Sequence, residues 1–216
     1  SAFLGHIHFW LYKKFALIER EDLIYKEAQK SLGDLADELH FVAVDLYGKP
    51  IPADRNLEMI IDHSNIHGWL QNQIEIATVR EANFIKDLLD CGGEDAETAI
   101  LTARNQGAAC GKVAADELNK GEHTPQEIYQ IMQNYYLNGM LVSGDTVLAN
   151  TADEYVWEGS HANQKANWAK AGVDQTFMMA AYQAWFQGFV SAADPKFKFT
   201  VELINGEFPQ YKIVRA

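Results

Sequence analysis

Phe197-Lys-Phe-Thr-Val-Glu-Leu203 alternates apolar and polar side chains without a break. Successive side chains of a strand point to opposite faces, so Phe197, Phe199, Val201 and Leu203 line a buried face and Lys198, Thr200 and Glu202 a wet one. Asn205-Gly206 follows, the preferred hairpin turn. A strict two-residue loop would pair Val201 with Gln210 and Phe199 with Lys212, which mixes the faces. Slipping by one pairs Val201 with Tyr211 and Phe199 with Ile213, so the pattern predicts a bulge or longer loop near Phe208-Pro209. The hairpin decides the fold class, because almost everything before Met140 reads as helix.

Working back from Asp194-Pro195, Asp174 is placed to cap an apolar helix carrying Phe177, Met178, Ala181, Tyr182, Trp185, Phe186 and Phe189. A short polar helix, His161 to Ala171, stops at Gly172. Glu154 to Glu158 reads as a strand. Met140–Val142 and Thr146–Leu148, split by Ser143-Gly-Asp145, read as a short hairpin. Thr124-Pro-Gln-Glu127 is a capping box with proline at the first helical position, and its helix is expected to run to about Leu137, ending at Gly139.

The N-terminal half is helical throughout. Phe3 to Ile18 is apolar almost all round, which suits a core or dimer-interface helix. Glu19 to Val44 is amphipathic with a break at Gly33, and Gly48-Lys-Pro-Ile-Pro52 stops it. Asp54 or Asn56 then caps what reads as the longest helix, Asn56 to Leu89, ending before Cys91-Gly-Gly93. Asp95 starts a further helix from Ala96 to about Asn119. The layout is α+β: an N-terminal helical bundle packed on a small antiparallel sheet with a C-terminal β-hairpin. The expectation is one compact domain over 1–216, with a helical half (1–139) and a mixed half (140–216).

The net charge of −12 argues against nucleic acid or an anionic membrane surface as a partner, since each needs a basic field. No apolar run reaches the ~20 residues needed to span a bilayer. Ala2 to Tyr12 lacks the basic start and small-residue cleavage site of a signal peptide. Two cysteines, Cys91 and Cys110, suit a reducing cytoplasm and exclude a disulfide framework. Cys110 sits mid-helix among small residues, and Cys91 lies near a helix C-terminus beside Asp90. Neither setting lowers a thiol pKa, so neither reads as a nucleophile.

Within the long central helix, His63 and His67 are four apart and would share one face with Ile60, Leu70 and Ile74. Helical zinc and iron sites use that spacing, so the pair reads as hydrogen-bonded core histidines, as the lining of a ligand pocket, as metal ligands with an unassigned third ligand, or as acid/base groups. Glu81 is a poor third ligand, about 20 Å along the helix. The next helix carries a stripe of small residues around Gly107 and Gly111. Each glycine costs roughly 1 kcal/mol there, tolerable where another backbone or a ligand approaches closely. Trp69, Tyr135, Tyr155, Trp157, Trp168, Tyr182 and Trp185 either line an apolar pocket or form plain core.

Tyr182-Gln-Ala-Trp-Phe-Gln-Gly188-Phe-Val, then Phe197 to Glu202, then Gly206-Glu207 resemble the C-terminal part of the 4-vinyl-reductase-type domain and the similar L-2-amino-thiazoline-4-carboxylic acid hydrolase family. The resemblance covers the last third of the chain and implies a fold enclosing a small-molecule pocket. Those families carry a cysteine just past the Gly-acid pair. Here the positions are Phe208, Pro209, Gln210 and Tyr211, so cysteine-dependent chemistry does not carry over. Two expectations stand together, with no cofactor assigned. One is a domain binding a small hydrophobic or aromatic molecule at Trp69, Gly107, Gly111, Tyr182 and Trp185, with self-association through the first helix. The other is a hydrolase- or lyase-like enzyme using His63 and His67.

Overall fold

The computed structural model describes residues 6–15, 20–51, 55–91, 94–118, 120–136, 145–159, 162–204 and 208–216. In the N-terminal half, α1 (His6–Phe15) is followed by α2 (Arg20–Leu32) and α3 (Asp34–Tyr47). Gly33 (φ 54°) breaks the amphipathic run and Gly48 (φ 91°) ends it, both in the left-handed region that favours glycine. Asn56 caps the next helix, accepting a hydrogen bond from the Glu58 N–H.

That helix is α4 (Leu57–Ile60), only four residues long, and here the structure departs from the expectation. The chain leaves the helix at Ile61 and re-enters as α5 (Ile66–Cys91). Short polar side chains make the break. Asp62 Oδ1 accepts from the Ser64 N–H and hydroxyl, and Asn65 Oδ1 accepts from the Gly68 N–H. Such local bonds offer the backbone an alternative to the helix, and they also cap the new one. His63 therefore lies in the turn and His67 in the first turn of α5.

Beyond α5 come α6 (Glu94–Glu117) and α7 (Pro125–Met132), the latter with its capping box intact. Tyr129 and Ile131 carbonyls close a tight last turn at Gln133, so α7 stops short of Leu137. The expected hairpin strand at Met140–Val142 and the stop at Gly139 lie outside the described residues. Thr146–Asn150 (β1) pairs with Glu154–Glu158 (β2). Then follow α8 (Ala162–Ala171), α9 (Gln175–Ala193), β3 (Phe197–Ile204) and β4 (Phe208–Arg215). Asp174 caps α9 through the Phe177 N–H. β3 and β4 adopt the slipped register, Val201 opposite Tyr211 and Phe199 opposite Ile213. The ladder reaches Ile204 opposite Phe208.

The class is α+β; the described residues form a four-stranded antiparallel sheet of order β1-β2-β4-β3. Chain contacts form two compact units, neither continuous in sequence. The first comprises 1–99, 136–142 and 162–178. There α5 is central, touching α1, α2, α3 and α8, and burying Leu70, Phe84, Ile85 and Leu88. The second comprises 100–135, 143–161 and 179–216, and holds the sheet. Among the described residues, no helix is long and apolar enough to cross a membrane.

Candidate functional site

His63 and His67 do not share a helix face, because the helix expected to carry both is broken between them. Both are exposed rather than core-facing. His63 Nε2 lies 2.8 Å from the Glu58 carbonyl oxygen. His67 Nε2 lies 3.2 Å from Nε2 of the buried His8 on α1. Glu81 is buried far along α5. Among the described residues, no three His, Cys, Asp or Glu side chains are grouped to hold a metal ion.

The glycine stripe on α6 is occupied by protein. A Cβ built on Gly107 would fall 2.8 Å from the Trp185 carbonyl carbon and overlap its oxygen; one on Gly111 would meet the Phe189 carbonyl in the same way. Gly188 on α9 is the reciprocal partner, with the Arg104 carbonyl against it. Of the two sequence readings, close helix crossing fills this face and leaves no room there for a ligand over Gly107 or Gly111. Tyr182 and Trp185 are buried in the same unit, and the Trp185 indole donates to Gln106 Oε1 at 3.0 Å. Trp69 belongs to the first unit, half-buried against Leu11, Leu57, Ile61, Ile66 and Leu70.

A different constellation gathers on the sheet of the second unit. The two-residue alternation of β2 puts Tyr155 and Trp157 on one face, and β4 places Tyr211 opposite Trp157. The capping box and the buried Ile128, Ile131 and Met132 fix α7. Its Tyr129 ring then sits 4.5 Å from Tyr155 and 4.8 Å from Trp157, centroid to centroid. Trp157 in turn lies 5.7 Å from Tyr211. At the rim stands Asp145, half-buried, accepting the Tyr129 hydroxyl at 2.7 Å on Oδ2. Behind Oδ1, a Cβ on Gly159 would sit only 2.9 Å away, so the carboxylate rests against bare backbone.

The electrostatics follow from that placement. Burial pushes the Tyr129 phenol well above its ordinary value, and the bond to Asp145 and its charge push it further. Burial and then Asp145 raise Tyr155 and Tyr211 too. The phenols stay neutral beside the half-buried carboxylate, while Tyr155, Trp157 and Tyr211 are themselves buried. Such a corner is suited to a cation or a strong hydrogen-bond donor. Tyr155 and Trp157 are among the pocket candidates legible in the sequence, whereas Asp145 reads there as a turn residue and nothing in the local pattern marks Tyr129 or Tyr211 as site residues.

Elsewhere in this unit, His123 Nδ1 lies 2.8 Å from Asp194 Oδ2, and the Lys196 N–H donates to Oδ1 at 2.9 Å. Burial works to raise the Asp194 carboxyl, but the bonds from Lys196 and His123 outweigh it and hold it below the usual range. In the first unit, a shallow hollow of about 530 Å³ is lined by Asp37, Glu38, Phe41 and Val42 of α3. The chain matches no family model, no curated protein and no solved structure.

Proposed function

We propose that the chain is a small-molecule-binding domain and that its ligand docks at the Asp145–Tyr129 corner. The ligand class is a small aromatic or hydrophobic molecule carrying a basic nitrogen. The observation that carries this reading is the half-buried Asp145 carboxylate, fixed by Tyr129 beside Tyr155, Trp157 and Tyr211. A basic nitrogen there would pair with the half-buried carboxylate beside Tyr129, a charge-assisted contact stronger than a neutral hydrogen bond. A cytoplasmic setting accords with one exposed and one buried cysteine, and self-association with the exposed Phe9, Phe41 and Leu46.

Ligand-observed NMR with tryptamine and with indole-3-propionate tests the reading. Tryptamine should bind and the carboxylate analogue should not, and Asp145→Asn should weaken tryptamine at least tenfold. Equal binding of the two, or of neither at millimolar concentration, would remove it. The hydrolase- or lyase-like alternative has its geometric support at His123 and Asp194 rather than at His63 and His67. A carboxylate on Nδ1 orients an imidazole for acid/base work.

A further inference from the structure

We propose that His8 and His67 are two ligands of a transition-metal site bridging α1 and α5. Their Nε2 atoms are 3.2 Å apart, with ring centroids at 5.1 Å and planes inclined by 47°. Two imidazole nitrogens about 2.0–2.1 Å from one zinc ion at a tetrahedral angle lie about 3.3 Å from each other. At 3.2 Å the two Nε2 atoms face each other closely enough for both to reach one ion.

The surroundings suit a metal site. His8 is buried, at 3% exposure, whereas His67 is exposed, so one ligand is anchored and the other gives an entry path from solvent. Leu11 lies one turn beyond His8 and Leu70 one turn beyond His67, and both belong to one apolar cluster. That cluster fixes the helices, and with them the spacing of the two rings, without using either imidazole. Apolar backing of this kind also lowers the local dielectric around the ligands.

With two protein nitrogens and water at the remaining positions, the site takes Cu²⁺, Ni²⁺ or Zn²⁺, with Cu²⁺ tightest. Mg²⁺ and Ca²⁺, which want oxygen donors, are excluded. Calorimetric titration of the chelator-treated full chain with Zn²⁺ and Ni²⁺ tests this. One equivalent should bind, unaffected by millimolar Mg²⁺. His67→Gln, which keeps an amide able to hydrogen-bond His8, should weaken binding at least tenfold. His63→Ala should bind like the wild type. Thermal melts without metal establish that both variants fold, and the exposed position of His67 makes that variant decisive even where a His8 substitution unfolds the protein. No binding by the wild type, unchanged binding by His67→Gln, or an equal loss in His63→Ala would each overturn the site.

Discussion

Asp145 acts on three tyrosines at once, and the consequence at the residue scale is alkaline sensitivity. Burial first, then Asp145, sets the folded pKa of Tyr129 and Tyr211 above the ordinary value of 10. A group raised in the folded state loses stability as pH climbs from the unfolded pKa towards the folded one. The protein should therefore hold its stability below pH 10 and lose about 1.4 kcal/mol per pH unit above it for each of these two phenols. Absorbance at 295 nm should show part of the tyrosine signal rising only with unfolding, and Tyr129→Phe should shrink that part. All nine tyrosines ionising near pH 10 in a folded chain would contradict it. The alternation that puts Tyr155 beside Trp157 can be read in the sequence. The meeting of Asp145 with Tyr129, 16 residues away, cannot, because it depends on how α7 lands on the sheet.

Among the elements, the crossing of α6 and α9 is the most demanding. Alanine at Gly107 would gain up to about 1 kcal/mol of helix propensity at an exposed site. Here the added Cβ overlaps backbone of α9, which moves only as a whole helix. Gly107→Ala and Gly188→Ala should each destabilise by about 1–3 kcal/mol, the usual cost of overpacking. Asn105→Ala, on the exposed side of α6, should be near neutral. A melting temperature for Gly107→Ala at or above wild type would defeat the argument. The stripe on α6 was visible in sequence, but its partner Gly188 was not, since nothing local links two helices so far apart. The turn between α4 and α5 shows the opposite failure. Asp62, Ser64 and Asn65 announce a break by their chemistry, and the apolar spacing running past them masked it.

For the molecule as a whole, the change from helical to mixed pattern near 139 is not where the contacts divide. The first unit draws on 162–178, where α8 packs on α5 and Lys170 pairs with Glu75. The second draws its α7 from before 139 and its sheet from after it. Fragments 1–139 and 140–216 should each fail to fold, seen as flat thermal melts and collapsed amide NMR dispersion. A cooperative transition in either alone would show the division to be wrong. Periodicity located the elements because it is local, whereas their grouping depends on contacts between distant segments. One last consequence lies at β1, the edge of the sheet among the described residues, where Val147 and Leu148 are both exposed. The register shift between Val147 and Ala149 leaves Leu148 as an extra residue in the ladder. An apolar edge is a template for strands from other chains, and this kink spoils the template. The bulge thereby guards the protein against aggregation as it accumulates.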